Sequence, residues 1–96
     1  MKHFEQKGLE LEKELLEMII GVCKIDDPVP DDLSPDDPLI GADSALGLDS
    51  LDAVEIAVVV EKKYHVRIGV DESTRVVFTS IRALAGYIRE TAATPR

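Results

Sequence analysis

A chain of 96 residues with 45% hydrophobic side chains can form one core, which excludes a two-domain enzyme, a large barrel or a doubly wound nucleotide-binding fold. Aromatic residues make up only 4% and Trp is absent, so the interior must consist of Leu, Ile and Val, a palette that suits a helical bundle. Nineteen acids against eleven bases give a net charge of -8, which repels phosphate backbones and anionic lipid and so excludes nucleic-acid and membrane partners.

Cys23 is the only cysteine; an intrachain disulfide or a cysteine-based metal site is ruled out, and a reducing cytosol is the default. Lys2, His3 and Lys7 are followed by Glu10, Glu12, Glu14 and Glu17, so no continuous apolar segment resembles a signal peptide or a membrane span. The expectation is a soluble, cytoplasmic, monomeric protein with one domain over residues 1–96 and an ordered core over about residues 4–90.

The first predicted element is an amphipathic helix over residues 4–23. Leu11, Leu15, Met18 and Val22 recur at steps of four, three and four, with Leu16, Ile19 and Cys23 beside them and glutamates opposite. Gly21 weakens its last turn. Residues 25–48 carry Pro28, Pro30, Pro35 and Pro38 among Asp pairs, which predicts a long loop pinned to the core by Val29, Leu33, Leu39 and Ile40. Asp49 offers an N-cap to a second helix over residues 50–64, free of Gly and Pro, with Asp52 and Glu55 early and Lys62 and Lys63 late, as the helix dipole favours. Val66, Ile68 and Val70 alternate like a strand, but a lone short strand has no partner, so they predict an extended link into a short third helix beginning near Asp71 or Glu72. Thr79 or Ser80 then caps a last helix whose apolar face is Ile81, Leu84, Ala85 and Ile88, with residues 91–96 frayed. The predicted fold is all-α, four helices with a long first loop.

Charge is unevenly placed. Between Ile25 and Glu61 there are eleven acids and no Lys or Arg, while the remainder holds eight acids and eleven bases. Such a pattern either aids solubility alone or favours docking on a basic partner surface.

At the loop-to-helix junction stands Leu46-Gly47-Leu48-Asp49-Ser50-Leu51-Asp52-Ala53-Val54-Glu55. Taken alone, Asp49 and Ser50 are ordinary helix-capping residues. The full string closely resembles the modification site of acyl carrier proteins, and Tyr64, Ile68, the run from Phe78 to Ile81, Leu84, Tyr87 and Ile88 extend the resemblance over most of the chain. It implies a four-helix carrier domain whose cavity shelters part of a tethered acyl chain. It further implies that Ser50, preceded by Asp49, carries 4'-phosphopantetheine taken from coenzyme A, with the cargo held as a thioester on the arm's terminal thiol.

The residue types fit that chemistry. A hydroxyl is needed to form a phosphodiester, and a first-turn Ser points outward where free backbone N–H groups and the helix dipole can stabilise a phosphate. Gly47 lets the loop turn closely ahead of it. No His or Lys is placed beside Ser50 as a base, so nothing here would activate the serine as in a hydrolase; the resemblance implies that a separate phosphopantetheinyl transferase does so and that the chain is a carrier and not itself an enzyme. A second Asp-Ser, Asp43-Ser44, imitates the motif, but Gly47 interrupts any helix after it and no acid follows two positions later. Ser50 is the predicted attachment site.

On the second helix Ile56, Val59, Val60 and Tyr64 form a core face, whereas Leu51, Val54 and Val58 form a stripe running on from Ser50. The resemblance implies that this stripe faces partners, and the predicted docking set is Leu51, Asp52, Val54, Glu55, Val58 and Glu61. The implied partners are the transferase and acyl-loading, condensing and modifying enzymes with basic docking surfaces. Lys62 and Lys63 depart from the acidic residues usual there. Acidity and the motif favour acyl cargo of fatty-acid, polyketide or specialised lipid type; a peptidyl, aryl or D-alanyl carrier, or an unmodified helical adaptor, are the alternatives.

No metal site is predicted. A calcium-loop template started at Asp36 finds Gly41 at its sixth position but Gly47 where Glu is needed, and His3 and His65 have no second ligand at suitable spacing. Cys23, on the first helix's apolar face, is expected to be a buried small hydrophobe.

Overall fold

The computed structural model describes residue 4 and residues 7–26, 29–68 and 72–93. Within them the chain is all-α: α1 (Glu10–Val22), α2 (Ser50–Tyr64), α3 (Glu72–Val77) and α4 (Ile81–Ala93). The long loop between α1 and α2 and the short α3 are as the sequence predicts. Helix α1 packs against α4 and α2, and α3 packs against α4. Leu15, Leu16, Ile19, Ile56, Val60, Leu84 and Ala85 lie at the centre of the core with no exposed surface.

Helix α1 begins at Glu10, later than the periodicity suggests, because Gly8 sits at φ +90° and breaks the helical path. Phe4 nevertheless reaches the core. At the other end Lys24 adopts a left-handed conformation and the Ile25 N–H donates to the Ile20 carbonyl at 3.0 Å, a Schellman-type closure. The glutamates of α1 are not all opposite the core. Glu12 lies three and four residues from Leu15 and Leu16, is 1% exposed, and accepts two 2.8 Å hydrogen bonds from the Arg89 guanidinium of α4. Burial pushes the Glu12 carboxyl up, but the hydrogen bonds and charge of Arg89 outweigh it and hold the group below its ordinary value.

The long loop is ordered by its apolar and backbone contacts. Leu33, Pro35 and Leu39 are buried, Val29 and Ile40 pack at the margin of the core, the Arg82 N–H donates to the Pro35 carbonyl at 3.0 Å, and the Arg82 side chain pairs with Asp36 at 2.6 Å. After α2, His65 turns the chain in a left-handed conformation, and Val66 and Ile68 drop into the core; Val70 lies outside the described residues. Ser80 accepts the Ala83 N–H at 3.0 Å and caps α4, while Thr79 instead donates to the Arg75 carbonyl at the end of α3. Helix α4 stays regular to Ala93, three residues into the stretch expected to fray.

Candidate functional site

The entry to α2 is fixed by the loop before it. The Leu39 N–H donates to the Thr79 carbonyl at 3.1 Å, Ile40 and Leu48 form a parallel bridge, and the Gly41 N–H donates to the Leu48 carbonyl at 2.9 Å. Residues 41–47 thus form a closed excursion. Ser44 holds it: its hydroxyl donates to the Leu39 carbonyl at 2.6 Å and accepts the Leu48 N–H at 3.1 Å. Gly47 turns back at φ +71°. A Cβ there would meet nothing within 4 Å, so it is the left-handed backbone of the close turn expected from the sequence, and not crowding, that calls for glycine.

Asp49 then caps the helix reciprocally. Its carboxylate accepts the N–H groups of Leu51 at 3.0 Å and Asp52 at 3.1 Å, while the Asp52 carboxylate accepts the Asp49 N–H at 3.1 Å. This corrects the expectation that first-turn N–H groups stand free for a phosphate: two of them already belong to Asp49. Ser50, the first helical residue, is exposed. It opens on a groove of about 1180 Å³ between α2, α3 and the loop, walled by Ile40, Leu48, Val54, Ala57, Ile68 and Phe78, with Asp49, Glu61 and Arg75 its charged side chains. No His or Lys lines it among the described residues.

Helix α2 divides by face. Ala53, Ile56 and Val60 are buried and Val59 and Tyr64 half-buried. Leu51, Val54 and Val58 keep 74%, 51% and 47% of their surface exposed. Isolated exposed aliphatics are ordinary, but three in one stripe beside an exposed serine form a patch. Val76 of α3, 69% exposed, is an aliphatic that sequence reasoning missed, and it lies off this groove, on the side towards α4; a helix of six residues is too short for its periodicity to show which side faces out. Of the acids in the predicted docking set, Glu55 is exposed, Asp52 is used in the cap, and Glu61 accepts the Ile68 N–H at 2.8 Å and holds the link that follows α2.

The family profile of the phosphopantetheine attachment site matches residues 13–88. The chain belongs to this family. Its cofactor is therefore 4'-phosphopantetheine, held covalently, and domains of this kind are modified by a phosphopantetheinyl transferase and visited by other enzymes. No curated protein and no solved structure matches the chain. The site fits the group: an exposed serine at the start of a helix, followed by a mainly apolar groove, suits a long tether bearing a cargo.

The remaining candidates fall elsewhere. Cys23, at the C-terminal cap of α1, is half-buried where a fully buried thiol was expected; burial, aided by Asp52, Glu55 and Asp49, pushes its thiol up to about 11. His65 is an exposed helix terminus and His3 lies outside the described residues. In the calcium-like loop Asp37 accepts the Ser34 N–H at 2.9 Å and Asp36 pairs with Arg82. Among the described residues no cluster of three metal-ligating side chains occurs, and no helix is long and apolar enough to cross a membrane.

Proposed function

We propose that the protein is an acyl carrier that bears 4'-phosphopantetheine on Ser50 and presents acyl intermediates to cytoplasmic enzymes of fatty-acid, polyketide or specialised lipid synthesis. The observation that carries the Ser50 assignment is the contrast between the two Asp-Ser pairs. The Ser44 hydroxyl is committed to two loop hydrogen bonds, whereas the Ser50 hydroxyl stands exposed at the mouth of the groove. An apolar groove beginning at that serine supports an acyl cargo over an aminoacyl one, because an alkyl chain gains from leaving water and an ammonium group does not.

Each residue has a part. The cap of Asp49 and Asp52 fixes the first turn, so Ser50 is offered in one position to a transferase that must supply the base. When bound, the arm supplies a thiol that holds the cargo as a thioester. Leu51, Val54 and Val58 offer a desolvatable patch, and Asp49 and Glu55 offer charge to basic docking surfaces. The chain itself makes and breaks no bonds.

Incubation with coenzyme A and a broad-specificity phosphopantetheinyl transferase, read by intact mass, tests the assignment. The wild-type chain should gain one phosphopantetheine and Ser50→Ala none, with an unchanged circular dichroism spectrum. A mass gain that persists in Ser50→Ala would overturn it. The mass of the natively expressed chain identifies the cargo; an aminoacyl or aryl group in place of an acyl chain would refute the acyl assignment.

A further inference from the structure

The stripe of α2 that leads away from Ser50 does not stay acidic. Leu51, Glu55, Val58 and Lys62 follow one another at steps of four, three and four, which at 100° per residue keeps them within one narrow arc of the helix surface. All four are exposed. Seven residues at 1.5 Å each separate Glu55 from Lys62, so the negative and positive charges stand about 10 Å apart on one face.

The two lysines at the end of α2 have different surroundings. Lys63 pairs with Glu14 of α1 at 3.2 Å and lies 5.6 Å from the centre of the Tyr64 ring, so its charge is answered within the fold. Lys62 makes no ion pair among the described residues. The positions three and four residues to either side of it are Val58, Val59, His65 and Val66, which offer no carboxylate to bind it along the helix. A cation in the last turn favours the dipole, but Lys63 already meets that need.

Resting on the carrier function proposed above, we propose that this face is a bipolar docking surface, and that the partner enzymes it fits present a basic site to Glu55 and an acidic side chain, about 10 Å further along, to Lys62. A uniformly basic docking surface would set a like charge against Lys62 in the same interface that holds Val58, and that repulsion discriminates between partners.

A matched pair of probes tests this: a purified condensing enzyme with a uniformly basic carrier-docking site, and a variant of it with one basic residue, about 10 Å beyond the site that meets Glu55, changed to Glu. Their affinities for the holo chain are measured at low and high salt. At low ionic strength the wild-type chain should prefer the Glu-bearing enzyme by about fivefold, the size of one exposed charge pair. Lys62→Gln should abolish the preference and Lys62→Glu reverse it. Both the wild-type preference and its reversal should shrink at 1 M salt, where the Debye length is about 3 Å. A wild-type preference for the uniformly basic enzyme, or a ratio unchanged in Lys62→Glu, would overturn the proposal. Intact mass of the same samples separates the two failures. A chain that never accepts phosphopantetheine removes the carrier function and this proposal with it, whereas a loaded chain with an unchanged ratio removes this proposal alone.

Discussion

The two sides of the bundle handle their surfaces in opposite ways. Where α1 meets α4, a glutamate is buried and bound at both oxygens by Arg89, and aliphatic side chains close around it. Where α2 faces α3, a groove stays open with Val54 and Val58 on its wall, both about half in water, and Leu51 stays exposed next to Ser50. The same aliphatic residue types serve both sides, so position on the helix, not residue type, separates folding from the recognition proposed above. Helix α2 carries both roles on one element: Ile56 and Val60 inward, Leu51 and Val58 outward.

Substitutions on the two faces of α2 test that division most strongly. Ile56→Ala should destabilise the domain by about 3 kcal/mol, within the usual range for a fully buried aliphatic, as read by urea unfolding. Val58→Asp should change stability by less than about 1 kcal/mol. It should nevertheless impair transferase loading at both low and high salt, because the loss of an apolar contact is not relieved by screening. If Val58→Asp unfolds the chain, the outward assignment of that stripe is wrong.

On the closed side, Arg89→Leu should cost about 3 kcal/mol at neutral pH by leaving the Glu12 carboxylate buried without its partner. The pH dependence has a defined sign. The folded carboxyl of Glu12 lies below its ordinary value of 4.5, so its contribution is fully present above 4.5 and is lost as pH falls through the folded value. The gap between wild type and Arg89→Leu should therefore close as Glu12 is protonated in both, which unfolding curves from pH 7 to pH 3 would follow.

Much of this arrangement could be read along the chain, and what could not has a physical reason. Helix α2 was legible to the residue because Asp49 and Asp52 cap it locally and no Gly or Pro interrupts it. The family motif and the outward stripe lie on that same helix. The apolar spacing extends the first helix over residues 7–9 because it does not register the left-handed backbone at Gly8. The burial of Glu12 depends on Arg89, 77 residues away, although a charged side chain set among Leu15, Leu16 and Ile19 was a signal that it needed a partner. The groove, with Arg75 and Phe78 on its far wall, arises only when α3 is set opposite α2, and no local pattern encodes that.

Smaller effects sharpen the contrast at the site. Ser44→Ala should load normally but lose about 2 kcal/mol, since the half-buried Leu48 N–H and Leu39 carbonyl lose their shared partner. Cys23, with its thiol pushed up to about 11, should alkylate slowly in the native apo chain at pH 8 and rapidly after denaturation. Equal rates would show that the end of α1 does not shield it.

The most direct test of the account is the position of the modification. No Lys or Arg lies between Ile25 and Glu61, so trypsin leaves Ser44 and Ser50 on one peptide, but cleavage before each Asp separates residues 43–48 from residues 49–51. After treatment with coenzyme A and the transferase, the account predicts phosphopantetheine on the 49–51 peptide alone. Its appearance on the 43–48 peptide would contradict the assignment of Ser50.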